Sequence, residues 1–269
     1  MLDAAIGRAA SATDVGREPR ARRDAPSGPL LFARYAFGPN RLGYCGPADA
    51  AELFELAVDG RHEGDLRALA RRFEGAWPYL ELIARSNGRP DPLDREVVEA
   101  YWLGNGLLDR VPPLQLGTSL EERFRPRLRP ADWRWLAGKP TDGARPVHAF
   151  HVLDVFPRMG LLRSDRANDV LSVIDGCRIR WGRVSSVEGD WLMAAVAPVR
   201  LVDGQLRLAP PELERVQAWR DGAGFIADIQ PGDAISIHWS WACDRLDGRR
   251  LGNLIDWTRH QLRIANATI

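Results

Sequence analysis

The side chains of this sequence that are best suited to chemistry at neutral pH are its cysteines and histidines. Thiolates and imidazoles act as nucleophiles, as general bases and as ligands of transition metals. Three cysteines cannot all pair within one chain, and no secretory signal precedes them, so we expect free thiols in a reducing cytoplasm. These residues are Cys45, Cys177, Cys243, His62, His148, His151, His238 and His260.

Two of these residues lie in segments that alternate between apolar and polar side chains. Cys177 opens the run Cys-Arg-Ile-Arg-Trp-Gly-Arg-Val, and His238 lies in Gly-Asp-Ala-Ile-Ser-Ile-His-Trp-Ser-Trp-Ala, which begins at Gly232. A period of two predicts half-buried β-strands. His238 would then share a strand face with Ser236 and Ser240, which would place it at the surface of a barrel.

The same two segments resemble those of HypC-type chaperones of NiFe-hydrogenase maturation. That family has a small barrel with an initial Cys-x-x-x-Pro-Gly-x-Val strand and a later Gly-Asp-x-Val-x-Val-His-x-Gly-Phe-Ala segment, followed by a helix. The similarity covers residues 177 to about 264, roughly a third of the chain. The chain departs from the pattern because Cys177 is internal, Trp181 replaces proline and Ser240 replaces glycine.

The resemblance implies a metallochaperone with no catalytic turnover. It implies that Cys177 and His238 hold an iron centre, transiently, while the iron carries cyanide and carbon monoxide ligands. The partners would be the hydrogenase large-subunit precursor and a maturation scaffold protein. The full length also resembles an uncharacterised bacterial family associated with hydrogenase gene clusters. Alternatively, Cys177 and His238 are ordinary packed strand residues, and Cys243 is either a packed residue or a second thiolate.

A different set of residues supports a rival prediction. Cys45 precedes a predicted helix start at Gly46-Pro47, where the helix dipole would lower the pKa of its thiol. His148 and His151 are three residues apart and would share a face if their segment, Val147 to Phe156, is a helix rather than a strand. Asp154 would then be a hydrogen-bond acceptor for His151. Cys45 with His148 and His151 would form either a second metal site or a cysteine–histidine pair, and such a pair would serve an enzyme of ligand-precursor processing or hydrolysis.

The elements that must position these residues predict an α+β protein. Residues 1–28 are rich in Ala, Arg, Gly and Ser, which predicts a disordered tail. Apolar residues spaced three and four apart predict a helical domain over residues 29–165. Short alternating runs joined by Gly-Asp and Asp-Gly turns predict a small antiparallel, OB-like β-barrel with a C-terminal helix over residues 166–269.

Charge and hydropathy exclude some classes of function. The net charge is +1, which argues against electrostatic binding of nucleic acid, although Arg178, Arg180 and Arg183 could contact RNA phosphates on a small barrel. The longest apolar run is far too short to cross a membrane. We therefore predict a cytoplasmic protein without nucleic-acid or membrane partners.

Overall fold

Helices form the first half of the chain, as the apolar spacing predicts. The computed structural model describes residues 25–155, 157 and 167–267. The predicted tail lies mostly outside these residues, but its last residue, Gly28, is buried and begins the first helix. Prolines in the first turn help to start several helices, because a helix leaves the first N–H groups unpaired. The helices are α1 (Gly28–Arg41), α2 (Ala50–Asp59), α3 (Glu63–Arg71), α4 (Trp77–Ser86), α5 (Arg95–Trp102), α6 (Pro113–Phe124) and α7 (Pro130–Gly138).

Helix α1 is the central element that joins the helices to the strands. It is apolar on nearly every side, and its buried residues include Leu31, Phe32 and Phe37. A helix that is apolar all round must be covered on all sides. It contacts α2, α3 and α5 as well as two strands of the second half, so the two predicted domains share one continuous core.

The segment with the two neighbouring histidines is helical. It forms α8 (His148–Phe150), which continues directly as a π-helical turn (His151–Val155). Such π-helical turns are rare in proteins overall, and those that do occur often lie at functional sites. The sequence left helix and strand open here, and the structure selects the helix.

The second half contains the predicted short strands and the final helix. The predicted Gly189-Asp190 and Asp203-Gly204 turns both join neighbouring strands. The elements are α9 (Ala167–Cys177), β1 (Arg180–Glu188), β2 (Trp191–Val196), β3 (Val199–Val202), β4 (Gln205–Leu208), β5 (Glu212–Gln217), β6 (Trp219–Arg220), β7 (Ala223–Gly224), β8 (Ala234–His238), β9 (Trp241–Arg245) and α10 (Gly248–Asn266).

The strand pairing closes into a ring in the order β1-β2-β5-β9-β8. Four of the five pairings are antiparallel, and β5 runs parallel to β9 where Gln217 meets Trp241. The prediction of a purely antiparallel arrangement is therefore wrong at this one edge. Two further two-stranded ribbons, β3–β4 and β6–β7, lie outside the ring.

The prediction that Cys177 begins the first barrel strand is also wrong. Cys177 is the last residue of α9, and β1 begins three residues later at Arg180. The helix persists because Val170 and Ile174 bury one of its faces, and the amide of Arg178 still donates to the carbonyl of Ile174 at 3.0 Å. Cys177 is thus held by a helix end and not by a strand.

Helix α10 closes the fold across both halves. Asp247 caps its first turn by accepting a hydrogen bond from the Arg250 amide at 2.8 Å. The helix contacts α8, the π-helical turn and β4. Within the described part of the chain, no helix is both long and apolar enough to traverse a bilayer.

Candidate metal centre

Three candidate ligands from separate elements meet between the helices and the strand ring. His148 begins α8, Cys177 ends α9 and His238 ends β8. One ligand atom from each residue lies within 4.8 Å of the other two. The rings of His148 and His238 are 5.1 Å apart between centroids. The structure therefore brings together the predicted pair, Cys177 and His238, and adds a histidine that the sequence had assigned to the rival site.

His238 is completely buried, which contradicts the prediction that it lies at the barrel surface. It is the last residue of its strand, and the backbone of α1 packs directly over it, so the strand face on which it lies is covered. Its Nδ1 lies 2.7 Å from the Tyr35 carbonyl oxygen. Because a carbonyl only accepts, Nδ1 carries the proton and Nε2 carries the lone pair. Nε2 is buried and has no hydrogen-bond partner among the described residues.

A buried nitrogen lone pair without a partner is costly unless something binds it. The aromatic ring of Trp102 lies 5.7 Å from the His238 ring and helps to exclude water. Such a neutral imidazole, fixed through its other nitrogen by a backbone carbonyl, is oriented as metal-binding histidines usually are. The His238 site therefore fits a transition-metal ion.

His148 is almost as deeply buried, but both of its ring nitrogens are engaged. Nε2 lies 2.9 Å from the carbonyl oxygen of Cys177. Nδ1 lies 3.2 Å from the hydroxyl of Tyr101. The hydrogen bond from Nε2 joins the His148 ring to the backbone of Cys177, the candidate thiolate ligand. It therefore helps to fix the position of His148 relative to Cys177.

Burial keeps the histidines of this region neutral. It lowers the pKa of His148 to about 4 and that of His151 to about 3. It also lowers the pKa of His238 well below its usual value, with a smaller contribution from His148. Neutral imidazoles keep a lone pair, which is the form that binds a metal.

The Cys177 thiol is protonated in the absence of a positive charge. Burial raises its pKa, and the nearby thiol of Cys45 raises it further. Coordination to a metal ion would supply the charge that stabilises the thiolate. The same bond would release a proton, so metal binding to this cluster must strengthen as the pH rises.

The three residues line one side of a cavity of about 620 Å³. Cys45 and His151 line the same cavity, together with Phe73. Five of the six cysteines and histidines considered as site residues thus line one space, although they were assigned to two different sites, and the sixth, Cys243, does not. The volume is many times that of a water molecule, about 30 Å³, so the cavity has room for a metal ion and additional ligands.

The environment of Cys45 differs from the prediction. It lies on a bend five residues before α2, so the helix dipole does not act on it. The helix starts later than expected because Gly46 has a φ of +82°, which a helix does not accommodate. The residue is exposed, but desolvation by the atoms packed around it raises the pKa of its thiol to about 12.

The other residues of the rival site are only partly connected. His151 Nδ1 lies 3.3 Å from the Tyr79 hydroxyl. Asp154, the predicted acceptor for His151, instead forms an ion pair with Lys139 at 3.1 Å. Cys243 is fully buried within β9, where its thiol contacts the Trp241 carbonyl, and it is not part of the cluster.

Two of the three arginines considered for RNA binding are engaged within the protein, whereas Arg183 is exposed and donates to the Gly232 carbonyl. Arg178 is buried and pairs with Asp175 at 2.8 Å. Arg180 makes two hydrogen bonds to the carboxylate of Glu214. These guanidinium groups are not available to phosphates, so the alternative of a nucleic-acid-binding surface loses its main support.

Two residues that support the centre were not anticipated, namely Tyr35 and Tyr101. Neither residue belongs to a sequence motif. Each contacts a histidine that lies more than forty positions away in the chain, and a local sequence pattern does not display such a contact. Their buried positions within helical apolar patterns indicate core residues only. A hydroxyl or carbonyl that orients a distant histidine leaves no signal in a single sequence.

Comparison with known proteins gives a family but no characterised relative. No curated protein matches the chain, and no solved structure matches it. A family model described as a family of unknown function, DUF6390, matches residues 24–269. This range spans the helices, the strand ring and all three residues of the cluster. The chain therefore belongs to the DUF6390 family of unknown function.

Proposed function

We propose that this protein is an accessory chaperone of NiFe-hydrogenase maturation that carries an iron centre through Cys177 and His238. The single observation behind the proposal is the convergence of these two side chains, sixty-one positions apart in the chain, on one buried cluster. The motifs around them are those of the HypC-type resemblance. No catalytic turnover is required of such a carrier.

The donor set suits the proposed cargo. Metal bonds to sulfur and nitrogen are about 2.0–2.3 Å long, so two ligands of one ion lie roughly 3 to 4.5 Å apart. The ligand atoms of the cluster lie within 4.8 Å of one another, and only a small side-chain movement would close them on an ion. Thiolate and imidazole are both common ligands of iron.

The cavity supports a cargo that brings its own ligands. Iron carrying cyanide and carbon monoxide needs space beside the protein ligands, and a cavity of about 620 Å³ provides it. A carrier must also release its cargo, and a closed set of four protein ligands would hold the metal too firmly. Two protein ligands with an open cavity meet both requirements.

We propose the remaining features from the resemblance. The closed strand ring with α10 would be an OB-like, HypC-like barrel, with His238 at the end of the strand that carries the second motif. The helical half would dock the hydrogenase large-subunit precursor or the maturation scaffold protein. The protein would act in the cytoplasm, where cysteines remain as free thiols.

The decisive experiment is to purify the protein after co-expression with the hydrogenase maturation machinery. We expect iron and the infrared bands of bound cyanide and carbon monoxide. Cys177→Ser and His238→Gln should each lose both signals, whereas Cys243→Ala, which changes a buried cysteine outside the cluster, should keep them. If the wild-type protein contains no iron and shows no such bands, the carrier proposal is wrong.

The alternative is an enzyme that uses Cys45 with His148 or His151. In its favour, these three residues line the same cavity. Against it, the pKa of the Cys45 thiol is about 12, so the thiol is not prepared as a nucleophile. An enzyme of this kind would lose function with Cys45→Ala and tolerate Cys177→Ala, and the carrier would show the reverse.

A further inference from the structure

We propose that His148 is a third, switchable ligand of the metal, and that the Tyr101 hydroxyl determines whether it binds. The inference rests on the proposed metal-binding function and adds a residue that controls it. Tyr101 is a positioning residue in this scheme, because it acts on the metal only through His148.

The hydrogen bonds around His148 fix which nitrogen carries the proton. The Cys177 carbonyl can only accept, so Nε2 of His148 is the donor across their 2.9 Å contact. A neutral imidazole has one N–H group, which leaves the lone pair on Nδ1. The Tyr101 hydroxyl, 3.2 Å away, therefore donates its hydrogen to Nδ1.

The two histidines of the cluster consequently differ in availability. The Nε2 lone pair of His238 has no partner among the described residues and can bind a metal at once. The Nδ1 lone pair of His148 is occupied by Tyr101 and becomes free only when that hydroxyl turns away. The cluster thus offers two protein ligands and holds a third in reserve.

Recruitment of His148 requires the Tyr101 ring to move, because its hydroxyl oxygen, 3.2 Å from Nδ1, occupies the space of a metal about 2.1 Å from Nδ1. The ring stacks on Tyr79 at 5.8 Å and packs edge-on against Trp102 at 4.7 Å. These ring contacts keep the oxygen at that position until the ring shifts. Meanwhile Nε2 of His148 can keep its bond to Cys177, which is the supporting contact that a metal-binding histidine requires.

This arrangement explains how one cavity can both hold and release a metal. With Tyr101 bonded to His148, the metal has two protein ligands and is easily passed on. With His148 recruited, a set of one cysteine and two histidines retains it. A partner that alters the position of Tyr101 would shift the protein between the two forms.

The test uses Co²⁺ as the probe, with the full-length protein. Tyr101→Phe keeps the stacked ring and removes only the hydroxyl. We expect it to bind Co²⁺ about fivefold more tightly, the factor that corresponds to the loss of one competing neutral hydrogen bond. X-ray absorption should count one more imidazole nitrogen on the metal than in the wild-type protein.

Tyr79→Phe is the matched control. It removes the equivalent hydroxyl from the stacked partner ring, and that hydroxyl contacts His151, which is outside the cluster. We expect its Co²⁺ affinity and ligand count to match those of the wild type. In the double variant Y101F/H148Q, the gain should disappear.

Other results would overturn the inference. Equal affinity and an equal ligand count in Tyr101→Phe and the wild type would show that the hydroxyl does not restrain His148. If His148→Gln weakens Co²⁺ binding as much as His238→Gln does, His148 is a permanent ligand, and this comparison decides the matter even if Tyr101→Phe fails to fold. If neither wild type nor Tyr101→Phe binds Co²⁺, the proposed metal-binding function fails as well.

Discussion

Lys139 and Asp154 form an ion pair that is fully shielded from solvent, with 3.1 Å between Nζ and Oδ1. The same ammonium group donates to the Ile264 carbonyl in α10 at 2.9 Å and lies 4.1 Å from the centre of the Trp135 ring. Lys139 is the single lysine of the chain. It links the end of α7 and α10 to the π-helical turn that carries His151.

The first prediction concerns this pair. Lys139→Met removes the ammonium group from the buried Asp154 carboxylate, and we expect a loss of about 3–5 kcal/mol in the free energy of unfolding. Urea denaturation measures it. Replacing both residues, as Lys139→Met with Asp154→Leu, should recover part of the loss because neither charge of this ion pair remains. A single variant as stable as the wild type would contradict the prediction.

The second prediction concerns the packing of α1 on the barrel. A Cβ atom added at Gly38 would lie 2.5 Å from the His238 carbonyl oxygen, a backbone atom that cannot easily move. In an open helix Gly→Ala would stabilise by about 0.5–1 kcal/mol. Here we expect Gly38→Ala to destabilise by about 1–3 kcal/mol, as overpacking does.

The control for Gly38→Ala is Gly64→Ala in α3. At that helical position nothing lies within 4 Å of the added Cβ atom. It should be neutral or slightly stabilising by the same thermal-unfolding measurement. Similar melting temperatures for the two variants would mean that α1 and β8 are not tightly packed.

The third prediction concerns Trp239, which has a left-handed φ of +55° between β8 and β9. Its amide donates to the Gly176 carbonyl at 2.7 Å, and its indole stacks on Tyr44 at 4.2 Å. These two neighbours immediately precede Cys177 and Cys45, and Trp239 itself follows His238. Trp239 therefore supports the backbone beside three candidate ligands, Cys45, Cys177 and His238, although it is not itself a ligand.

Gly176→Ala tests this bracing role. The added Cβ would lie 2.9 Å from the indole Cε3, so the indole or the end of α9 must shift. We expect Co²⁺ affinity to fall by about tenfold, the usual effect of disturbing a residue that supports a ligand. Unchanged affinity, with a melting temperature that shows the variant is folded, would exclude the bracing role.

The fourth prediction concerns the pH dependence of stability in the metal-free protein. The pKa of His148 is about 4 and that of His151 about 3 in the folded state, below the usual value near 6.5 in the unfolded chain. Between these values the unfolded state binds more protons. Stability is therefore complete above about pH 6.5 and decreases as the pH falls, by up to about 1.4 kcal/mol per pH unit for each histidine.

Urea denaturation at a series of pH values from about 7 to about 4 measures this slope. Replacing one of the two histidines, as in His148→Gln, should remove its share of the slope. His62→Gln is the control, because that ring is largely exposed and pairs with the surface carboxylates of Asp59 and Asp65. A stability that stays constant over this range would contradict the burial of neutral histidines.

Sequence patterns predicted the order of the elements well. The α+β class, the helical first half, the short strands with their Gly-Asp and Asp-Gly turns and the final helix are all present. These features depend on local periodicity and turn residues, which a single sequence displays directly. The closing pairing between β5 and β9 was not predictable, because it depends on contact between distant segments.

The candidate site was predictable only in part. The order and spacing of the two motifs indicated Cys177 and His238, and the structure brings them together. The surface location of His238 was wrong, because α1 covers the strand face that His238 shares with Ser236, and both residues are buried. The addition of His148 could not be foreseen, since it depends on how α8 docks against α9 and β8.

The division of the candidate ligands among distant segments limits how the protein can be dissected. Truncation between residues 165 and 166, the boundary suggested by composition, would separate His148 from Cys177 and His238. A barrel fragment prepared alone would also expose the surface that α1 covers and would lose the carbonyl that orients His238. A minimal carrier cut from this chain would therefore have to retain both halves.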